Sequence, residues 1–384
     1  MILKKKIVFL TGTRADFGKL KSLINILNEQ PEFEVHIFAT GMHMDQQYGF
    51  TVREIEKCGY QNIFKYINHD GGSSMDITLS RTIEGFANYV HLIKPDLIVV
   101  HGDRSEALAG STVGALNNIL VAHIEGGEVS GTVDELIRHA VSKLSHLHFV
   151  ANDEAKKRLV QMGEREENVY IIGSPDMDVM LSDQLPSIED VAAAYEIPFS
   201  KFSISMFHPV TTEVEEMDVY AEQYVDALEE TGLNYIVIYP NNDKGAAFIF
   251  NKLKRLQLNS KFRLFPSVRF EAFLVMMKHA QFIIGNSSAG IREAPYYGIP
   301  TVNVGSRQNG RTRNRQIIHT GYSKEEILEG VQKALSVQVQ PTSLFGAGNS
   351  DVLFLEIMQS AAIWKTSKQK LFADQSAIVN ETYD

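Results

Sequence analysis

Short, unbroken runs of apolar residues recur along this chain, and each is followed by a polar turn and a helical pattern. Residues 7–10, 97–100 and 235–239 are clear examples. A strand that is apolar at every position has both faces covered, whereas a half-exposed strand alternates apolar and polar residues. The repeat therefore predicts parallel sheets flanked by helices, an α/β fold.

The strand-and-helix pattern occurs in two sets. The first runs to about residue 172, and a second begins near residue 203. We expect two doubly wound Rossmann-like domains, residues 1–175 and 176–350, followed by a C-terminal helix and a loose tail over 351–384. Ligands of open α/β sheets bind beyond the carboxyl ends of the strands, so we expect paired domains to share a cleft there.

Composition excludes several classes of protein. A net charge of −10 argues against nonspecific binding to nucleic acid or to an anionic membrane. The single cysteine, Cys58, rules out an intrachain disulfide and a cysteine-based zinc site. The N-terminus runs directly into a strand pattern and leaves no room for a signal peptide, and no apolar run approaches the ~20 residues of a membrane span. We expect a cytoplasmic protein.

Residues 285–293, Gly-Asn-Ser-Ser-Ala-Gly-Ile-Arg-Glu, follow an apolar strand and open a helical pattern. Backbone N–H groups, the helix dipole and the hydroxyls of Ser287 and Ser288 would converge there on an anion. Glu293 would accept hydrogen bonds from a neutral polyol such as a ribose. These features indicate a bound nucleoside diphosphate; the alternative is an ordinary serine-capped helix.

The turn after the first strand, residues 12–19, is rich in glycine but matches neither phosphate-binding consensus. Five residues separate Gly12 from Gly18 where a P-loop has four, and Leu20 stands where a P-loop has Ser or Thr. The dinucleotide fingerprint is also absent, and the second strand ends without an acidic ribose ligand. Arg14 remains, either as a phosphate contact or as a surface arginine.

Three acids follow successive strands of the first set. Asp103 and Glu125 come after strand ends, and Asp134 opens the next helix. Crowded carboxylates beside Arg and His suit stepwise proton transfer. A metal site is the competing functional interpretation, although the acids lack the usual metal-ligand spacing. Asp134 and Glu135 would also suit a helix N-terminus that they merely stabilise.

In the second set, His208 ends a strand and could neutralise a departing phosphate or move a proton. The alternative is a hydrogen-bonded structural histidine. Arg307, Arg311 and Arg313 follow another strand end, where arginine forks suit phosphate oxygens.

Taken in order, these motifs resemble those of the hydrolysing UDP-N-acetylglucosamine 2-epimerases of bacterial sialic acid synthesis. They are TGTRADFGK, TGMHM, HGDR, HIEGGEVSGTVDE, SMFHPVTTE, YPNND, GNSSAGIREAP and GSRQNGR. The likeness runs from about residue 5 to about residue 335. The resemblance implies the GT-B fold, a UDP-sugar in the interdomain cleft, a homodimer or homotetramer, and no metal or nicotinamide cofactor.

The resemblance also assigns residues. The family's catalytic acids fall on Asp103, Glu125 and Asp134, and its phosphate-side histidine falls on His208. His43 falls on the sugar side. The other positions are those of UDP contacts: Arg14, Arg104, Ser287, Ser288, Glu293, Arg307 and Arg311, with Val268 and Phe273 near the uracil.

The expected reaction converts UDP-GlcNAc and water into N-acetylmannosamine and UDP through 2-acetamidoglucal. Relatives in legionaminic acid synthesis, which resemble this chain in most of these motifs, take UDP-N,N′-diacetylbacillosamine instead. The GIREAP continuation favours the sialic acid branch. A GT-B glycosyltransferase and a non-catalytic UDP-sugar sensor are the more remote alternatives, and neither needs three acids.

Overall fold

A computed structural model describes residues 4–69, 73–130, 133–183, 185–241, 243–310 and 314–374. Contacts divide the chain into two units. The first comprises residues 1–128, 134–181 and 344–384, and the second comprises residues 129–133 and 182–343. In the described ranges no helix has the length and apolar character needed to cross a membrane.

The strands described in the first unit form one parallel sheet of seven, in the order β3-β2-β1-β4-β5-β6-β7. They are β1 (Lys5–Thr11), β2 (Phe33–Ala39), β3 (Ile63–Lys65), β4 (Leu97–His101), β5 (Leu120–Ile124), β6 (Leu147–Val150) and β7 (Val169–Ile171). The described helices are α1 (Arg14–Asn28), α2 (Val52–Lys57), α3 (Met75–Ile93), α4 (Ser105–Leu116), α5 (Val133–Leu144), α6 (Asp153–Gln161) and α7 (Pro175–Met180).

The second unit contains a parallel sheet of six described strands, in the order β10-β9-β8-β11-β12-β13. They are β8 (Ser203–Met206), β9 (Tyr235–Ile238), β10 (Phe262–Phe265), β11 (Ile283–Gly285), β12 (Thr301–Val304) and β13 (Ile317–Thr320). Its described helices are α8 (Ile188–Ala194), α9 (Met217–Thr231), α10 (Ala246–Leu253), α11 (Phe270–Lys278), α12 (Glu293–Tyr296) and α13 (Lys324–Ser336).

The last described helix, α14 (Ser350–Gln359), packs on the first unit. Phe354 and Met358 are fully buried in the same apolar cluster as strand β1 and helix α1. The segment after Lys365, expected to be loose, instead contacts the first unit over residues 366–374. Residues 375–384 lie outside the described part of the chain.

The predicted parallel sheets are confirmed, and their cores follow from the strand sequences. In β4, Leu97, Ile98, Val99 and Val100 are all fully buried, as expected where helices cover both faces. Both sheets reverse their strand order once, between β1 and β4 and between β8 and β11. Such switch points open a crevice at the carboxyl ends of the strands, which is where ligands of doubly wound sheets bind.

Candidate functional site

Asp103 follows β4 at the switch point of the first sheet. Its half-buried carboxylate accepts a hydrogen bond from Nη2 of Arg138, whose side chain on α5 is only 3% exposed. A buried guanidinium needs a partner, and this pair fixes both the carboxylate and the facing side of α5. No role was predicted for Arg138 from the sequence, although it lies four residues after Asp134, one helical turn away.

Glu125 follows β5 in a left-handed backbone conformation, with φ of 63°. Its side chain is nearly buried; Oε1 accepts from the Ser174 hydroxyl, and Oε2 lies 3.2 Å from Nε2 of His101. A non-glycine residue in this conformation carries backbone strain, which the surrounding contacts must hold. Strain of this kind is concentrated at functional sites, so the conformation agrees with a functional role for Glu125.

Asp134 lies in the first turn of α5 and is half-buried. Its neighbour Glu135 is 3.5 Å from His139, one turn further along the same helix. This contact holds Glu135 against its own helix. Among the described residues, no group of three or more His, Cys, Asp or Glu side chains is arranged to hold a metal ion.

Arg14 begins α1, directly after the turn that follows β1. Its Nη2 lies 3.7 Å from Glu54. Asp16 organises the turn, because its carboxylate accepts from the backbone N–H groups of Gly12 and Thr13, each at 3.0 Å. Thr13 in turn caps the helix by accepting from the Asp16 N–H. These two amides are therefore engaged by a carboxylate, which explains in physical terms why the turn is not a P-loop.

His43, expected on the sugar side, is completely buried. Its Nε2 lies 3.0 Å from the Thr11 hydroxyl and its Nδ1 lies 2.8 Å from the Thr51 hydroxyl. Burial lowers the pKa of the ring to about 4, with Asp16 partly opposing the shift. The structure thus places His43 behind the β1 turn as a neutral support, not with a ring edge at the surface.

Arg104 occupies the N-cap position of α4, and its Nε lies 3.4 Å from Glu106. Glu106 is buried, and its side chain fills the space that a β-carbon on Gly12 or Gly41 would need. The glycines after β1 and β2 are thus required by this close approach. Glu106 is a further residue that the sequence did not single out, although it directly continues the HGDR motif.

In the second unit, Asn286 joins the ends of β8 and β11 at the switch point. Its Oδ1 accepts from the His208 backbone N–H at 2.6 Å, and its Nδ2 donates to the His208 carbonyl at 2.8 Å. The preceding Gly285 has φ of +127°, and a β-carbon there would overlap the Met206 carbonyl. Only glycine permits this close approach. The pair Gly285-Asn286 therefore fixes the loop that carries His208.

The half-buried His208 ring has a defined tautomer. The backbone N–H of Asn241 donates to Nδ1 at 3.1 Å, so in the neutral ring the proton is on Nε2. The ring then presents Nε2–H as a hydrogen-bond donor, which suits an anionic oxygen.

The helix expected after Gly285 is much shorter than predicted. Ser288–Gly290 form one turn of 3-10 helix, and α12 has only four residues. Pro295, the third residue of α12, has no N–H to bond to the Ile291 carbonyl, so the 3-10 turn and α12 do not join into one regular helix. Gly298, just beyond α12, has a left-handed φ of 69°, which is typical of the end of a helix. The half-buried Ser287 caps the 3-10 turn by accepting from the Ala289 N–H at 3.3 Å, and Ser288 is also half-buried. Hydroxyls and turn amides, rather than a long helix dipole, are what this segment offers to an anion.

The segment after β12 contacts the residue that follows β11, Asn286. Nη1 of Arg307 and Nε2 of Gln308 donate to the Asn286 carbonyl at 3.2 and 2.8 Å. Gln308 is buried and had no role in the sequence prediction. Arg311 and Arg313 lie outside the described residues.

The remaining residues that were predicted to contact UDP have little surface exposed to solvent. Glu293, the first residue of α12, is 2% exposed. Val268 and Phe273, on the approach to α11 and within it, are 8% and 7% exposed. An apolar pair of this kind could pack against a flat base through the small part of its surface that is accessible.

In sequence, this chain matches the model of a protein family and individual known proteins. A family model described as UDP-N-acetylglucosamine 2-epimerase matches residues 25–359. A UDP-N-acetylglucosamine 2-epimerase from Neisseria meningitidis serogroup B is 50% identical over 96% of this chain and 99% of its own length. A hydrolysing UDP-N,N′-diacetylbacillosamine 2-epimerase from Legionella pneumophila is 32% identical over 93% of this chain and 96% of its own.

A solved structure is similar in fold. The crystal structure of a Methanocaldococcus jannaschii UDP-GlcNAc 2-epimerase, in complex with UDP-GlcNAc and UDP, matches with a TM-score of 0.78 and 22% identity. The match covers 92% of this chain and 99% of that one. The expected GT-B fold class is thereby confirmed.

Proposed function

Because this chain belongs to the UDP-N-acetylglucosamine 2-epimerase family, we propose that it is a hydrolysing UDP-GlcNAc 2-epimerase. It converts UDP-GlcNAc and water into N-acetylmannosamine and UDP for the synthesis of sialic-acid-type sugars. The choice of UDP-GlcNAc as the substrate is supported by the Neisseria meningitidis relative, which is 50% identical to this chain over almost the whole length of both proteins. The hydrolysing character is supported by the Legionella pneumophila relative, whose name states it.

In the proposed first step, the bond between C1 and the UDP oxygen breaks and the C2 proton is removed, which leaves 2-acetamidoglucal and UDP. In the second step, the hydroxyl of water adds to C1 and a proton adds to C2 from the opposite face, which inverts C2. An unactivated C2–H is a poor acid, so cleavage at C1 runs ahead of proton loss. Stabilising the charge of the leaving group is therefore the largest requirement.

The second unit holds UDP in this proposal. Ser287, Ser288, Arg307 and Arg311 bind the diphosphate, Glu293 binds the ribose, and Val268 and Phe273 pack near the uracil. His208 supports the departing phosphate, and the argument for it is the Nε2–H donor that the Asn241 amide enforces. A donor held in a fixed orientation needs no reorganisation as negative charge develops.

The first unit supplies the proton chemistry in this proposal. Asp103, Glu125 and Asp134 act as the acids and bases and stabilise positive charge on the sugar. Arg14 and Arg104 contact UDP. His43 acts indirectly, because its contacts with Thr11 and Thr51 support the turn that carries Arg14.

The specific alternative is UDP-N,N′-diacetylbacillosamine, which the Legionella pneumophila relative supports. The higher identity to the Neisseria meningitidis relative favours UDP-GlcNAc. We also propose that the chain assembles as a homodimer or homotetramer, which light scattering after size exclusion would measure directly.

Incubation with each nucleotide sugar alone tests the function. The expected result is free UDP and N-acetylmannosamine from UDP-GlcNAc, with slower release of UDP from UDP-N,N′-diacetylbacillosamine. UDP-N-acetylmannosamine as the product would identify non-hydrolysing epimerisation instead. Binding of UDP with no turnover of either nucleotide would refute the proposal and would favour a transferase or a sensor.

A further inference from the structure

The C-terminal segment, residues 366–374, is fastened to the first unit at several points. His146 donates from Nε2 to the Lys368 carbonyl at 3.1 Å, and the Ala373 N–H donates to the Gly163 carbonyl at 3.0 Å. Between these contacts, the half-buried side chain of Lys370 turns inward to the end of α5.

The Lys370 ammonium closes the C-terminal end of α5. It donates to the carbonyls of Ser142, Lys143 and Ser145 at 2.8, 3.0 and 2.6 Å. These carbonyls come from the last turn and the residue just beyond it, where few helical N–H groups remain to donate and where a cation complements the helix dipole. Burial lowers the pKa of Lys370 to about 8, with Glu164 partly opposing the shift.

Glu164 binds the ammonium from its other side. It is 2% exposed, and its Oε2 lies 2.5 Å from Lys370 Nζ. The same carboxylate contacts Lys143 Nζ at 2.8 Å and His148 Nε2 at 2.9 Å. A buried carboxylate with these partners would lose a major source of its compensation if Lys370 were removed.

The other parts of α5 belong to the proposed reaction. Its first turn carries Asp134, about 15 Å from its C-terminal end at 1.5 Å per residue, and its buried face carries Arg138, the partner of Asp103. The backbone hydrogen bonds of the helix link each of its turns to the next. Displacing one end therefore displaces the carboxylates that the other end carries or holds.

A second series of contacts connects α5 to the backbone beside Asp103. The Ser142 hydroxyl lies 3.1 Å from Nδ1 of the fully buried His123, whose Nε2 lies 2.8 Å from the Gly102 carbonyl. Because that carbonyl only accepts, Nε2 carries the proton and Nδ1 accepts from Ser142. Gly102 directly precedes Asp103.

We propose that Lys370 is a positioning residue, which locks the C-terminal end of α5 and thereby sets the place of Asp134 and of the Arg138–Asp103 pair. The inference rests on the proposed function, since it takes these carboxylates to serve the reaction. It gives the C-terminal segment a role in turnover.

The test compares Lys370→Met, Lys370→Arg and Lys368→Met in the full chain. Met keeps the apolar stem and removes the ammonium, Arg keeps the charge, and the exposed Lys368 gives the same charge change nearby. We expect Lys370→Met to lower kcat about ten- to a hundredfold, with KM and the Kd of UDP within about twofold. Lys370→Arg should recover most of kcat, and Lys368→Met should resemble the wild type.

Hydrogen exchange of α5 amides separates this inference from the proposed function, because it needs no substrate. Faster exchange at residues 135–144 in Lys370→Met, with β4 unchanged, is the expected result. Equal exchange and equal kcat in Lys370→Met and Lys368→Met would overturn the inference while the proposed function stands. Wild-type protein that releases UDP from neither nucleotide would refute the proposed function. If Lys370→Met does not fold, Lys370→Gln in the full chain takes its place, with the same expected results and the same outcome against the inference.

Discussion

The loss of stability expected on removing the Asn286 side-chain amide can be calculated from the two hydrogen bonds that this amide makes. Asn286→Ala removes the acceptor for the His208 N–H and the donor to the His208 carbonyl, at 2.6 and 2.8 Å, and leaves both backbone groups unpaired. Each group left without a partner costs about 1–3 kcal/mol when buried. His208 is half-buried, so the lower half of that range applies, and we expect a total loss of about 2–4 kcal/mol of stability.

The same substitution should affect the reaction more than the binding of UDP. Without the amide, the loop after β8 loses this link to the end of β11, and the His208 ring is held less firmly, by its remaining contacts such as that with the Asn241 N–H. We therefore expect kcat to fall by about tenfold or more, because an error of about 1 Å in position weakens catalysis strongly. The Kd of UDP should change less.

Urea unfolding and UDP release are the assays, with Asn251→Ala as the control. Asn251 is exposed on α10, where such a change alters stability by only about 0.5 kcal/mol or less. Asn286→Asp is the informative second variant. Its ionised carboxylate faces the His208 carbonyl, whereas the protonated form donates an O–H to it, so this variant should gain stability relative to Asn286→Ala as pH falls. A loss below about 1 kcal/mol in Asn286→Ala, with unchanged kcat, would refute this account of the clamp.

Three further predictions concern single residues. Asp103→Asn should abolish UDP release while calorimetry still detects UDP binding; unchanged turnover would contradict its role as an acid. Gly285→Ala should lower the free energy of unfolding by about 3 kcal/mol or more in urea, because its φ of +127° and the Met206 carbonyl exclude a β-carbon; a neutral effect would contradict the close approach. The folded pKa of His43, about 4, is below the unfolded value of 6.5, so the unfolded chain binds the extra proton and stability falls as pH drops through that window. Between pH 6.5 and 5, wild-type protein should lose about 1.5 kcal/mol more than His43→Gln in urea unfolding, and equal losses would contradict the burial of a neutral ring.

The sequence predicted most of the sheet and the ends of its strands. Four consecutive apolar residues in β4 predict a strand covered on both faces, and the charged Asp103 after a glycine marks its end. These signals are local, because each is contained within a few residues. Where a local signal was incomplete, as after Gly285, the prediction gave a longer helix than the four residues of α12.

The partners of the predicted residues could not be read in the same way. Arg138 lies 35 positions from Asp103, and Asn286 lies 78 positions from His208. Lys370 is 228 positions from the Ser142 carbonyl that it binds. The residue types alone do not identify such pairs, because the sequence offers many possible partners for each arginine, lysine or asparagine. These contacts follow from the topology of the sheets and the path of the C-terminal segment.

Three histidines near strand ends show how partners, rather than position, decide what a residue can do. His43 and His123 have both ring nitrogens bonded to groups of the protein, and burial lowers their pKa values to about 4 and 3. Neither ring can bind a ligand without giving up a buried hydrogen bond. His208 differs because it is half-buried and a backbone amide occupies Nδ1, which fixes the proton on Nε2. In the proposed function, that proton is the one that His208 offers to a phosphate oxygen.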